Sequence, residues 1–384
     1  MNRTERLFDK SSKIYAFDAV VLSCEPLGDG KYAVVLDKTA FFPNEGGQSC
    51  DTGSLGDATV LSVDERDGII THTLDREIKV GSNVSGSIEV EPRFKKMQDH
   101  TAEHIVSGII HRLFGYDNVG FHLGEGYMTA DFNGELCESD VERVESLANK
   151  AVFECHAVKA YYPDASELTS LQYRSKLDLS ENVRIVEIEG VDMCACCAPH
   201  VENTGEVGLI KIVEAIRYKG GMRLTMIAGY DALADYRAKE TEVRRISMAI
   251  SAKQSEVSRG VERLLCEIDE MKAKMSALKR ENMQMKLDFL DETDESIILF
   301  EESDDMLAMR NFVNGAVKKT KKLCAVFSGN DESGYKYIIA SESMPLRALS
   351  KEISATLGGK GGGSDAMIQG SVTATREKIE KFFT

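Results

Sequence analysis

His100 and His104 occur in the run Gln98-Asp99-His100-Thr101-Ala102-Glu103-His104. Four residues make just over one helical turn, so on a helix both imidazoles project from one face, within reach of a single metal ion. A second cluster, Cys196-x-x-x-His200, lies in a cysteine-rich run that also holds Cys194 and Cys197. Four nitrogen and sulfur donors in two short clusters suit the tetrahedral preference of Zn²⁺. The arrangement takes up four of only seven histidine and nine cysteine side chains, which marks a metal without marking a reaction. A structural zinc has the same spacing, and Cys194 or Cys197 replaces Cys196 if the loop folds differently.

Glu103 directly precedes the second histidine, about 100° around the helix from it. That is not the H-E-x-x-H frame of metalloproteases, and the residue is expected to face solvent rather than act as a base. Near the C-terminus, Leu357-Gly-Gly-Lys-Gly-Gly-Gly-Ser364 predicts a loop whose backbone approaches a ligand, with Lys360 near phosphate. No G-x-x-x-x-G-K-[ST] spacing can be laid over it, which excludes a Walker A loop.

The elements that must position these residues follow from periodicity. Up to about residue 90, short alternating runs (AVVLSCEPL, KYAVVLD, ATVLSVDE, IITHTL) separated by LGDG, NEGG and ERDG predict antiparallel strands closing a small β-barrel or sandwich. From Arg93, Met97, Ile105, Ile109 and Leu113 recur at helical spacing. Strand-like YMTADF and VRIVEI follow, and the pattern Ser139-x-x-Glu142 predicts a helix from Ser139 to Val158. Residues 91–232 thus read as an α+β sandwich. After Gly229 the chain is helical to Phe289, with Val257, Val261, Leu264, Ile268, Met271, Met275, Leu278 and Met285 at alternating three- and four-residue spacing and Asn282 at one core position. That is a coiled-coil seam over 233–290, and it predicts a homodimer. Residues 291–384 form a last α/β domain with strands near SIILFEE, LCAVFSG and YKYIIAS. The fold class is α+β: barrel (1–90), zinc-binding sandwich, coiled coil, and glycine-rich C-terminal domain.

A chain of 384 residues with 42% hydrophobic content supports two or three cores. No apolar run approaches the ~20 residues that span a bilayer, and the first twenty residues lack a signal-peptide pattern, so the cytoplasm is the expected location. An odd cysteine count fits a reducing compartment. The net charge of -16 excludes binding nucleic acid by bulk electrostatics and leaves local patches: Arg93, Lys95 and Lys96; Arg217, Lys219 and Arg223; Lys318, Lys319, Lys321 and Lys322.

Three motifs occur in one order: Thr39-Ala-Phe-Phe-Pro-Asn-Glu-Gly-Gly-Gln48, His100-Thr-Ala-Glu-His104 and Cys196-Cys-Ala-Pro-His200. The order resembles that of the free-standing, long-form alanyl-tRNA editing proteins, kin of the editing and C-terminal domains of alanyl-tRNA synthetase. Their patterns run Thr-x-Phe-Tyr-Pro-x-Gly-Gly-Gly-Gln, His-Thr-Ala-x-His and Cys-Gly-Gly-Thr-His. The resemblance extends over nearly the whole chain, with departures at Glu45, Cys197, Ala198 and Pro199. It implies zinc held by His100, His104, Cys196 and His200, and a substrate pocket containing Thr39 and Gln48. It also implies tRNA contact near Lys360, Gly361 and Gly362, and hydrolysis of tRNA(Ala) mischarged with serine or glycine. The chain starts at the barrel, so no aminoacylation domain is expected. The competing reading is an RNA-binding or assembly protein with a structural zinc. A phosphoesterase is disfavoured, because no Asp-His-His triplet occurs.

Overall fold

The computed structural model describes residues 3–175, 183–302 and 305–383. It is an α+β protein that divides into two compact units, Met1–Glu242 and Val243–Thr384.

In the first unit, β1 (Ala16–Gly28), β2 (Lys31–Leu36), β3 (Gly53–Leu55), β4 (Ala58–Arg66), β5 (Ile69–Leu74) and β6 (Asn83–Ile88) close a barrel in the order β1-β2-β5-β4-β3-β6. Burial alternates along β4 and β6, as a strand with one face inside requires. Phe8, Phe41, Phe42, Leu36 and Leu55 fill the interior. The barrel hands the chain to α1 (Val90–Phe114), which Gly115 ends in the left-handed conformation, its N–H bonded to the His111 carbonyl. Then follow β7 (Asn118–Leu123), β8 (Met128–Phe132), α2 (Glu138–Phe153), β9 (Val158–Tyr161), α3 (Ala165–Ser170), β10 (Ile185–Ile188), β11 (Asp192–Ala195), β12 (Ile210–Tyr218) and β13 (Gly221–Ala228). They form two sheets, β12-β13-β8-β7 and β9-β10-β11. Met97, Ile105, Val106, Ile109 and Ile110 of α1 share one core with the four-stranded sheet and α2.

The second helix differs from expectation at both ends. Its capping box is Cys137 with Asp140, not Ser139 with Glu142. It stops at Phe153, because Cys155 takes a positive φ of 54° and the chain turns into β9. Helix α4 (Gly229–Ala249) covers only the first part of the stretch, Gly229 to Phe289, in which the sequence predicts continuous helix. A turn through Ser251, at φ 51°, separates it from α5 (Val257–Asp288).

The second unit holds α5, β14 (Ile297–Glu301), α6 (Met306–Ala316), β15 (Cys324–Asn330), β16 (Gly334–Ala340), α7 (Leu346–Thr356), β17 (Gly359–Gly363), β18 (Met367–Val372) and α8 (Arg376–Phe383). The sheet order is β14-β15-β16-β18-β17, with one parallel pair, β14 with β15. One sheet face packs on α6 and the end of α5, the other on α7 and α8. Helix α5 meets its own unit through Met283 and Leu287. The expected seam faces outward instead: Met271, Met275 and Leu278 are 57%, 56% and 65% exposed, and Asn282 is exposed as well. The glycine run is an edge strand rather than a loop. A Cβ on Gly361 would lie 2.0 Å from the Tyr337 hydroxyl, so β17 covers that ring only because a side chain is missing. Among the described residues no helix is long and apolar enough to cross a membrane.

A buried ion pair fastens α1 to the barrel. Arg93 donates from Nε to Asp51 Oδ1 at 2.8 Å and from Nη2 to both Asp51 and the Ala40 carbonyl, while Nη1 reaches the Ser12 carbonyl at 3.1 Å. Asp51 also accepts the Phe42 N–H at 2.6 Å. The two side chains are 0% and 1% exposed. Removing one partner strands a charge in a dry interior. Arg93→Met is therefore expected to lower the unfolding free energy by about 3–5 kcal/mol, read from urea denaturation of the full chain. A loss below 1 kcal/mol would mean that the pair is not the fastening.

Candidate metal centre

Every residue of α1 from Met97 to Ile110 is buried. A helix covered all round cannot send its polar side chains to water, so each must find a partner inside. His100 and His104 find one another's neighbourhood, with ring centroids 5.4 Å apart, and both meet His200, at 4.9 Å and 4.6 Å. Cys196 Sγ lies 3.6 Å from His100 Nε2 and 3.4 Å from His200 Nε2. All four donor atoms lie within 4.8 Å of one another.

The imidazole nitrogens that face away from this centre are all engaged. His100 Nδ1 donates to Gln48 Oε1 at 3.0 Å, His104 Nδ1 to Asp192 Oδ2 at 3.1 Å, and His200 Nδ1 meets Thr101 Oγ1 at 3.0 Å. The acceptors Gln48 and Asp192 hold a proton on Nδ1 of His100 and His104 and direct their Nε2 atoms at the shared space, as metal-binding histidines require, while Thr101 holds the His200 ring in place. Two ligands of a tetrahedral zinc, one sulfur at ~2.3 Å and one nitrogen at ~2.0 Å, stand about 3.5 Å apart. The Sγ-to-Nε2 separations match that figure, so the residues present fit the ion.

The electrostatics distinguish the three cysteines. Burial opposes ionisation of Cys196, but His100 and His200 beside it hold its thiol well below the usual range. Burial pushes the Cys194 thiol up to about 11, and it pushes Cys197 up as well. Cys197 hydrogen-bonds to Glu45, so two of the departures from the family pattern touch one another. Burial drives His200 down to about 3, which keeps it neutral. Thiolate and neutral imidazole are the metal-binding forms.

Positioning comes from three directions. Arg184 Nη1 grips the carbonyls of Cys196 and Ala198, at 3.0 and 2.8 Å, and so shapes the ligand loop. Gly108 lets β11 approach α1, since a Cβ there would lie 2.6 Å from Asp192 Cβ. The barrel turn enters through Gln48, with the Gly47 carbonyl accepting the Leu123 N–H at 3.0 Å.

The remaining expected residues are placed less uniformly. Gln48 is buried, and its Nε2 has no hydrogen-bond partner among the described residues. Thr39 is buried in the barrel, where its hydroxyl bonds His72 Nε2 at 2.9 Å and accepts the Phe41 N–H at 3.1 Å. Lys360, Gly361 and Gly362 lie on the exposed edge strand β17, and Lys360 lines a cleft of about 940 Å³ with Lys336, Ser371 and Thr373. Glu103 is not solvent-facing: it is buried and accepts hydrogen bonds from Ser107 and Asn118, because α1 has no exposed side at that level. The basic patches are largely spoken for. Arg93 is buried, Lys95 pairs with Glu91 and Asp231, and Lys96 caps the Ser49 and Cys50 carbonyls. Arg223 and Arg217 pair with Asp131 and Glu135, Lys319 caps the carbonyls of Leu287 and Leu290, and Lys321 and Lys322 pair with Asp294 and Glu295. Spacing gave no sign of Asp192, Thr101 or Arg174, although Asp192 stands two residues before the cysteine run.

Residues 183–264 match the family described as the second additional domain of threonyl and alanyl tRNA synthetases. The chain is 29% identical to the alanyl-tRNA editing protein AlaX-L of Pyrococcus horikoshii, over 98% of this chain and 96% of that protein. The chain is a relative of the alanyl-tRNA editing proteins. It is also 31% identical over 291 residues to the alanine–tRNA ligase of Ignicoccus hospitalis, and 32% over 297 residues to that of Halobacterium salinarum. These matches cover 72% and 71% of this chain and about a third of each ligase.

His72 gives a test of the Thr39 environment. Burial lowers it to about 4 from 6.5, and its Nδ1 donates to the Val34 carbonyl at 3.2 Å. The unfolded chain takes up a proton near pH 6.5 that the folded barrel refuses until about pH 4. Stability from this group is therefore complete above pH 6.5 and lost as pH falls towards 4, by at most about 3 kcal/mol. In chemical denaturation, the stability difference between wild type and His72→Gln should shrink steadily from pH 7 to pH 4. A constant difference would show that His72 does not titrate between the two states.

Proposed function

We propose that the protein is a trans-acting deacylase that hydrolyses the ester of tRNA(Ala) mischarged with serine or glycine, at a zinc centre held by His100, His104, Cys196 and His200. The observation that carries this reading is the buried convergence of those four donors beside the Gln48 amide nitrogen, which has no hydrogen-bond partner among the described residues. Zinc held there supplies a Lewis-acidic positive centre next to the ester. A buried N–H without an acceptor costs about 1–3 kcal/mol, and a substrate oxygen, from the seryl hydroxyl or the ester carbonyl, would satisfy it. A site built on such a donor distinguishes serine from alanine better than an apolar pocket sized for alanine rejects serine. Gln48 also orients His100, so substrate contact and metal geometry meet in one side chain. Thr39 acts in this reading by shaping the loop that leads to Gln48. The names of the relatives, an alanyl-tRNA editing protein and alanine–tRNA ligases, support the choice of tRNA.

Lys360, Gly361 and Gly362 would hold the body of the tRNA, since an exposed glycine edge beside Lys336 lets a phosphate backbone come close. The outward seam of α5 supports a homodimer, and the site of action would be the cytoplasm. Met271→Glu with Met275→Glu should convert a dimer to a monomer in sedimentation; a dimer that survives both changes does not use this seam.

One observation favours the competing reading, a structural zinc in an RNA-binding or assembly protein: four N/S donors complete a tetrahedron, as closed structural sites do. The deciding experiment measures amino acid release from seryl-, glycyl- and alanyl-tRNA(Ala) by wild type and Cys196→Ala, with zinc quantified in both. Release of serine or glycine but not alanine, lost in the zinc-poor variant, is expected. No release by zinc-replete wild type would establish the structural role.

A further inference from the structure

The segment Leu171–Ser175 supplies a residue that no motif marks. Arg174 forms a two-pronged pair with Asp192, Nε to Oδ1 at 2.7 Å and Nη2 to Oδ2 at 2.8 Å. The same Oδ2 receives His104 Nδ1 at 3.1 Å. Asp192 is 2% exposed and Arg174 13%. The backbone repeats the attachment: Arg174 N donates to the Met193 carbonyl at 2.8 Å, and Ala195 N donates to the Arg174 carbonyl at 2.9 Å. Residue 174 thus lies along the side of β11 away from β10, bound to it at both the main chain and the side chain.

This attachment bears on His104 for a physical reason. Arg174 and Asp192 line a cavity of about 660 Å³ with Gly108, Arg112 and Tyr173. A cavity of that size beside a carboxylate admits water, which competes with His104 for the carboxylate oxygens. The planar guanidinium fork removes that freedom, because its two parallel bonds set the plane of the carboxylate. Only with that plane set does Oδ2 present its lone pair to His104 Nδ1, and so turn Nε2 to the shared centre.

We propose that Arg174 is a positioning residue of the metal centre, acting on His104 through Asp192, so that the docking of a segment remote from every ligand motif sets metal affinity. The inference rests on the metal reading given under the proposed function and is independent of which ester is cleaved.

The test uses the full chain, stripped of metal and titrated with Zn²⁺ in competition with a chromophoric chelator, with no tRNA present. Arg174→Met should weaken zinc binding about 10- to 100-fold, the range for loss of a residue that orients a ligand. Arg174→Lys, which keeps the charge but not the fork, should fall between. If Arg174 works only through Asp192, the double variant Arg174→Met with Asp192→Asn should bind no more weakly than Asp192→Asn alone. The visible spectrum of the Co²⁺-substituted Arg174→Lys protein should shift, reporting altered ligand geometry. Thermal unfolding of the metal-free variants separates this from a structural strap. Lower stability with wild-type zinc affinity and an unchanged Co²⁺ spectrum would overturn the proposal, and so would additive losses in the double variant. A wild type that binds no zinc would overturn the metal reading itself.

Discussion

A helix with no exposed side through its middle imposes the central constraint on this protein. Helix α1 carries Gln98, Asp99, His100, Thr101, Glu103, His104 and Ser107 into an interior shared with Met97, Ile105 and Ile109. None of these polar groups reaches bulk water, so each needs a partner inside, and except for the Ser107 bond to Glu103 and for Asp99 Oδ1, unpartnered among the described residues, the partners stand on other elements. The partners come from far along the chain: Gln48 from the barrel turn, Asn118 from β7, Asp192 from β11, and His200 from the loop after it. The surrounding architecture is arranged around those obligations, and the Arg93–Asp51 pair is what brings the barrel to the helix that has them.

That constraint also explains which parts of the site could be read from the sequence. His100, His104, Cys196 and His200 were legible because two donors on one helical turn and two in one short loop need only local geometry to be recognised. Spacing alone left Cys194, Cys196 and Cys197 as alternatives, and the family resemblance made the choice of Cys196. That choice depends on which thiol lies beside His100 and His200, and three adjacent cysteines differ there only after the loop is folded. Glu103 shows the opposite error. Its position about 100° from His104 was read correctly from helical geometry, but exposure on that side was inferred from an amphipathic helix, and α1 is not amphipathic at that level. The basic patches show what spacing leaves out, since it gives no sign of the carboxylates on other elements that pair with them, as Asp131 pairs with Arg223.

In the second unit, strand periodicity placed β14, β15 and β16 within a residue or two of their observed limits. The glycine run defeated the same method. A strand of Gly-Lys-Gly-Gly-Gly has neither alternation nor β-branched side chains, and its conformation is dictated by pairing with Met367–Val372 and by the Tyr337 ring beneath it. The spacing in α5 identified a helix and an apolar stripe along it, which is exposed. It carried no information about what the seam would meet, because the residues that anchor α5 to its own unit, Met283 and Leu287, belong to a different stripe.

The Nδ1 contacts show how the constraint becomes chemistry. An imidazole buried with both nitrogens free would sample two tautomers and several ring orientations, and no ion would find three aligned lone pairs. Here each ring is fixed by a partner of a different kind: an amide for His100, a carboxylate for His104 and a hydroxyl for His200. The three anchors are not equivalent. A carboxylate makes its imidazole the most electron-rich of the three, and its own charge must then be balanced, which is why a guanidinium stands behind Asp192 and nothing comparable stands behind Gln48 or Thr101 among the described contacts. The Gln48 anchor leaves its amide NH2 group unspent among the described residues. A neutral anchor is thus the one with a donor left to offer an incoming oxygen, and the charged anchor is the one committed to its ring and to Arg174.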